Sequence, residues 1–442
     1  VLGWKNVKAI AVCGNHDIPV HDPSATKKWC QKWFRYLRNH PLTGNQLPRM
    51  GTAGLVSSMQ MRGLLATKNY TEGRFEHFDK VNGETLAEEY NIVNKGCLSC
   101  PIKCARTVTV EGEDVKGPEL ETLGLLGGGI LNKDLYHILK WNKELDDLGL
   151  DTISASNTLA YAMEANERGL WNNGLKFGDI EGISKIWDDI AYRRGIGNEL
   201  AEGSKRLSEK YGGKEFAMQS KGLELAAYEP RRAVGQGLGY AVSNRGGCHL
   251  NGGYLVILEG LGLNIDAQTP HSKADFTMMF QDLMEMISAT GQCLFTSYAF
   301  FPGFLITRPN GAIATAANKL LPHLGWAIRL MNKFPRVLAF HLPVFHHTKM
   351  MQKAVGMPMT FGKYLQTGER GFNLERAVNV RFGVSATKDS LPKRLTDVPQ
   401  DPNDPRTRVP LEQMKKIYYQ ARGWDKSGIP TCRTLKKLKI AR

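Results

Sequence analysis

Three cysteines stand within eight residues, in the stretch "CLSCPIKC" from Cys97 to Cys104. Their C-x2-C-x3-C spacing lets three sulfurs of one short loop converge on a metal centre. Structural zinc is usually held by two separated pairs, and the chain has no second C-x2-C. Three neighbouring thiolates plus one remote one is instead the pattern of an iron–sulfur cluster whose fourth ligand ties in another element. The order is also the reverse of the C-x3-C-x2-C run used by radical enzymes. Spacing leaves both Cys248 and Cys293 open as the fourth thiolate. Cys13, Cys30 and Cys432 lie in plainer contexts and read as ordinary thiols.

Other chemistry-bearing residues fall in three short stretches. "KGPELETLG" holds Glu119 and Glu121. Acidic residues in a first helical turn after Pro118 would be favoured by the helix dipole, and a carboxylate in a pocket would serve as a general base. "DDLGLD" places Asp146, Gly149 and Asp151 at a helix C-terminus, where Asp is electrostatically disfavoured and Gly caps. Such carboxylates suit a ligand edge rich in N–H groups. "SNRGGCHLNGGY" sets His249 among glycines, whose small size lets a bulky ligand approach. "GQGLGY" lacks the preceding strand and the spacing of a dinucleotide fingerprint.

The elements that must position these residues are mostly helical. "KNVKAIAV" alternates and predicts a strand; "ATKKWCQKWFRYLRN" predicts a helix capped by Ser24. The stretch to about Asn94 reads as a poorly periodic connection. Roughly 3.6-residue apolar spacing then predicts helices in "NKDLYHILKWNKELDDLG", "SASNTLAYAMEANERG", "DIEGISKIWDDIAYRRG" and "GNELAEGSKRLSEKYG". From Lys221 to Tyr254 the glycine density predicts a loop-rich layer against a ligand. "HSKADFTMMFQDLMEMISATG" returns to helix and leads into Cys293, and "PLEQMKKIYYQARG" is a last helix. A basic, apolar, helical stretch from about Gly311 to Gly356 contains "GWAIRLMNKFPRVLAFHLPVFHHTKMM", read as an insertion that could contact a partner or a membrane surface.

The 442 residues allow two or three cores, and the hydrophobic and charged fractions, 42% and 23%, are those of a globular protein. A net charge of +15 suits an acidic partner; without a zinc-finger or RRM-type motif, nucleic acid is not expected. No uncharged apolar run reaches the eighteen or so residues of a membrane span. The chain opens without a secretory signal or initiator Met, and its start reads as a cut through a longer polypeptide. Sparse cysteines with one tight cluster point to a reducing, cytoplasmic setting.

Taken in order, "GWKNVKAIAV", "CLSCPIKCAR", "GPELETLG", "DDLGLDTISASNTLAYAME", "GIGNELAEGSKRL", "SNRGGCHL", "ERAVNVRFGV", "LPKRL" and "YYQARGWDKSGIPT" resemble the aldehyde ferredoxin oxidoreductase family of tungsten-pterin enzymes. The resemblance implies a mainly α fold with minor β, comprising the multi-helical domains 2 and 3 after the tail end of an N-terminal β domain. It divides the chain into 1–20, a remnant of the pterin-base domain; 21–225, a helical domain with the three cysteines and the first pterin motif; and 226–442, a helical domain with the His loop and the fourth cysteine. It implies a [4Fe–4S] cluster on Cys97, Cys100, Cys104 and Cys293, with Cys248 spare, beside a tungsten (or molybdenum) bis-pterin. One pterin element falls on Asp146, Gly149, Leu150 and Asp151. The other ends at Cys293 and has Ser288 where Asp is usual. Glu121 matches the active-site carboxylate and His249 the His near the metal oxo group. Leu120 stands where Tyr is frequent, and Asn251 where some members carry a phosphate-binding Lys.

The function so implied is oxidation of an aldehyde to a carboxylic acid, with electrons leaving through the cluster to ferredoxin. The alternatives are the catalytic subunit of a multi-subunit reductase acting on activated aromatic acids, with other iron–sulfur subunits as partners, and an inactive piece lacking the pterin-base domain.

Overall fold

The computed structural model describes residues 2–90, 92–261, 263, 265–334 and 345–440. It is 54% helix and 5% strand. Residues 335–344 of the basic, apolar stretch lie outside the described residues. Around them run the helices Ala312–Leu320 and Gly325–Lys333 and a short turn at His347–Met350.

The strand expected over "KNVKAIAV" does not form. Residues 2–22 are turn and coil, and Leu2, Trp4, Ile10, Val12 and Ile18 are exposed. Alternation gives a strand its two faces but no partner for its ladder, and none of the described strands pairs with it. Helix α1 (Pro23–Asn39) follows. Its cap is Asp22, which accepts from the Ala25 amide, rather than Ser24. Pro23 at the first helical position supplies the φ and leaves no orphan N–H.

The stretch read as a connection is partly helical. Leu47–Met50, Val56–Arg62 and Gly83–Glu89 form short helical turns that lack the length for a clear period. A three-stranded antiparallel sheet of β1 (Val93–Lys95), β2 (Ala105–Val110) and β3 (Glu113–Lys116) then forms, and the cysteine loop is the β1–β2 connection. Opposed pairs such as Val93 with Thr107 fix the register of that loop's two ends.

Helices α2 (Leu120–Leu126), α3 (Leu135–Asp147) and α4 (Thr152–Glu167) follow; Trp141 of α3 and Trp187 are fully buried. "GNELAEGSKRLSEKYG" is split into two helices at Gly203. The segment expected to be loop-rich contains a fully buried helix, α5 (Val234–Val242). Its glycines replace helix propensity with proximity: a Cβ on Gly239 would lie 2.4 Å from the Gly252 carbonyl oxygen. That approach seats the His249 turn against α5.

Three long helices complete the frame: α6 (Lys273–Ala289), α7 (Phe361–Arg381) and α8 (Leu411–Arg422). Several motifs quoted for the resemblance turn out to carry buried ion pairs. Arg376 binds Asp389 through both terminal nitrogens, at 3.0 and 2.7 Å; Arg394 binds Glu164, and Arg422 binds Asp282. Arg422 also reaches Gln281 Oε1 at 2.8 Å and the Met278 carbonyl at 3.2 Å, and lies 4.3 Å from the Phe372 ring centre. One guanidinium thereby joins α6, α7 and α8. Removing one member of a buried pair leaves the other charge uncompensated, at a cost of about 3–5 kcal/mol. The expected outcome for Arg422→Met is a large fall in the urea midpoint, with most of it recovered in the double variant Arg422→Met/Asp282→Leu.

Candidate functional site

The cysteine loop and the carboxylate helix are joined by Arg106. This buried side chain of β2 donates to the Cys104 carbonyl at 2.9 Å and to the Met50 carbonyl, and lies 3.7 Å from Glu119. Glu119 stands at the N-cap position of α2 without a side-chain cap bond of its own; it accepts from Thr52, whose oxygen accepts the Leu120 amide at 3.0 Å. Glu121 therefore sits in the first turn of α2, where the helix dipole favours its charge.

Glu121 Oε1 faces two donors from distant segments. Tyr228 donates its hydroxyl at 3.2 Å, and His249 Nε2 lies at 3.4 Å. An ionised carboxylate only accepts, so the imidazole proton belongs on Nε2. Burial holds the His249 pKa below its usual value, with the Glu121 charge opposing and Arg245 reinforcing the fall. His249 is thus a neutral donor at neutral pH. Burial, and then the Glu121 charge, push the Tyr228 hydroxyl well above its usual range. The Tyr254 hydroxyl is 3.1 Å behind Tyr228, and the Tyr254 and Tyr298 rings stack at 6.1 Å. Tyr254 holds a φ of 53°, a left-handed conformation that a bulky residue adopts only when its surroundings impose it.

The "DDLGLD" residues open beside this carboxylate. A cavity of about 290 Å³ is lined by Glu119, Glu121, Asp146, Leu150, Asp151 and Thr152, among others. Gly149, at φ 70°, is the left-handed residue that turns the chain out of α3. Asp151 has a local task as well, capping α4 by accepting from the Ser154 amide at 2.8 Å. A second cavity of about 310 Å³ is lined by Arg245, Asn251, Glu285, Ser288 and Glu375, among others. Asn251 is committed there: its Oδ1 accepts from Ser243 Oγ and the Asn244 amide, each at 2.8 Å. Ser288 is exposed at the end of α6.

The four thiols come together across almost two hundred residues. Burial first, then the charges of Cys293, Glu119 and Cys100, push Cys104 up to about 11. Burial raises Cys293 too, against the Phe295 and Thr296 backbone amides, with Cys100 and Cys97 adding to the rise. The four thiols thus lie within electrostatic reach of one another. Among the described residues, no three His, Cys, Asp or Glu side chains converge closely enough for a single ion. Cys248 is buried elsewhere, accepting the Asn251 amide at 3.4 Å.

Motif reading did not single out Tyr228, Tyr254 or the linking role of Arg106. Only the Arg within "CLSCPIKCAR" carried a signal; lone tyrosines form no spacing pattern.

The second cavity generates a pH test. Burial and the facing Glu375 push Glu285 from 4.5 up to about 7, with Arg422 opposing. The fold thus favours protonated Glu285, a contribution fully present below the unfolded value and lost as pH rises through 7. The thermal midpoint should therefore fall more steeply between about pH 4.5 and 7 in the unmodified protein than in Glu285→Gln, as followed by circular dichroism.

Comparison with known proteins gives the family. The sequence profile of aldehyde ferredoxin oxidoreductase, domains 2 and 3, matches residues 28–440. Tungsten-containing aldehyde ferredoxin oxidoreductase of Thermococcus kodakarensis is 36% identical over 97% of this chain and 66% of its own length. The protein of the same description from Pyrococcus furiosus is 36% identical over 100% of this chain and 68% of its own. The chain thus spans about two thirds of the length of these relatives. A solved complex, the active site complex BamBC of benzoyl coenzyme A reductase with 1,5-dienoyl-CoA, shares the fold with a TM-score of 0.69, covering 99% of this chain and 68% of that one, at 19% identity. The chain belongs to the aldehyde ferredoxin oxidoreductase family of oxidoreductases, of which it carries domains 2 and 3.

Proposed function

We propose that the complete protein oxidises an aldehyde to a carboxylic acid, and that Cys97, Cys100, Cys104 and Cys293 hold a [4Fe–4S] cluster through which electrons pass to ferredoxin. The observation that carries this reading is the Glu121 carboxylate, held by neutral His249 and Tyr228 beside the cavity that Asp146 and Asp151 line. Asp146, Gly149, Leu150 and Asp151 would hold one pterin, and Ser288 and Asn251 the margin of the second. When bound, tungsten-pterin would supply a Lewis acid and a two-electron acceptor, and the cluster a one-electron outlet.

The chain's own residues manage the protons. Aldehyde and water become acid, two protons and two electrons. Glu121 takes a proton from the oxygen that adds to the carbonyl carbon. As Glu121 becomes neutral its hold on the His249 Nε2–H weakens. That donor then turns to the substrate oxygen on which charge develops. The Tyr228 hydroxyl, kept protonated by burial, fixes the carboxylate's orientation throughout.

In the full-length, metal-loaded protein, Glu121→Gln should lower kcat at least about 100-fold, the scale of a lost general base, with tungsten and iron contents unchanged. Unimpaired turnover would remove the base assignment. Cys293→Ser should lower bound iron and bleach the broad visible absorption of the cluster, leaving the folded helix content as it was. The shared fold with BamBC makes reduction of an activated aromatic acid the competing assay, and the identity of the product decides between them.

A further inference from the structure

Helix α1 is amphipathic in an unusual way. Its inward face carries Trp29, Trp33, Tyr36 and Leu37, while its exposed positions include Lys27, Lys28, Lys32, Arg35 and Arg38. No acidic residue occurs within the helix, and none of the five cations forms an ion pair among the described residues. Lys32 and Lys353 lie 4.8 and 5.9 Å from the Trp29 ring centre, extending the positive face beyond the helix.

Beneath this face lies the segment that carries Cys293. Thr296 Oγ donates to the Cys293 carbonyl at 2.5 Å and meets His347 Nε2 at 2.8 Å. The His347 ring is 5.0 Å from Trp33, His346 stacks on Trp33 at 5.7 Å, and the Tyr36 hydroxyl donates to the Ala299 carbonyl at 2.8 Å. One layer of aromatic rings therefore separates the basic surface from the backbone of the proposed cluster ligand.

We propose that the outer face of α1 is the docking surface for an acidic one-electron redox protein of the small iron–sulfur class. The inference rests on the reading of Cys293 as a cluster ligand. Charge complementarity steers and orients such a partner, and the short path to Cys293 gives the encounter a use. In each docking event the reduced cluster loses one electron and the partner's centre gains it, so two events follow each aldehyde. A membrane-surface helix would instead turn its apolar face outward into lipid; here that face is spent on packing against His346 and His347.

The test compares the full-length, metal-loaded protein with its triple variant Lys27→Glu/Lys28→Glu/Lys32→Glu. Binding of an acidic [4Fe–4S] ferredoxin is measured by calorimetry at low and moderate salt, alongside reduction of benzyl viologen, which needs no docking. The expected result is a Kd weakened at least about tenfold at low salt, a flatter salt dependence, and unchanged viologen reduction. An unchanged Kd and salt slope would overturn the proposal. So would loss of binding to phosphatidylglycerol vesicles or to a nucleic-acid polyanion with ferredoxin affinity intact, which would assign the face to another anionic surface. An unmodified protein that fails to reduce viologen with any aldehyde would count against the catalytic reading, while the Kd comparison would still judge the surface.

Discussion

The guanidinium of Arg422 occupies the point on which the rest of the frame depends. It closes a buried junction among α6, α7 and α8, bound to Asp282, Gln281 and the Met278 carbonyl and lying over Phe372. Helix α6 delivers Cys293 to the three-cysteine loop, so the placement of one sulfur relies on a charge pair near the middle of that helix. Burial drives Asp282 up to about 7 against the pull of Arg422. Such a pair adds little net stability but makes misplacement costly, because sliding α6 would strand two charges away from water. The same logic applies to Arg376 with Asp389, and to Arg394 with Glu164, which ties a late segment of the chain to an early one.

Burial then acts on the site in opposite directions. It raises thiols, which would have to lose protons to bind metal, and it lowers an imidazole, which keeps its single proton aimed at a carboxylate. Both shifts disfavour charge. A cationic centre would reverse the balance at the cysteines, since metal replaces the protons. Arg106 connects the two halves mechanically, gripping the Cys104 backbone on one side and lying beside Glu119 on the other. Arg106 thereby couples the three-cysteine loop to the helix that carries Glu121.

Much of this was legible in the sequence because its signals are local. The cysteine spacing, the acidic first turn of α2, the glycine after α3 and the 3.6-residue periods of α3, α4, α6 and α8 each arise from contacts within a few residues. Misreadings came where local rules compete with packing. Glycine density in 234–242 argued for a loop, yet a helix forms because those glycines allow the backbone to approach the His249 turn. Residues 5–12 alternate like a strand, but a strand also needs an edge to pair with.

The sequence by itself determined which side chains exist to do chemistry and which short elements they ride on: three thiols on one short loop, a glutamate at a helix start, a histidine among glycines. Tertiary structure alone decided their meeting. It set Cys293 rather than Cys248 beside the thiol cluster, put Tyr228 on Glu121, and laid α1 over the Cys293 segment. Those meetings join residues from 107 to 263 positions apart. No spacing rule reaches so far, because such contacts are selected by what burial leaves without a partner.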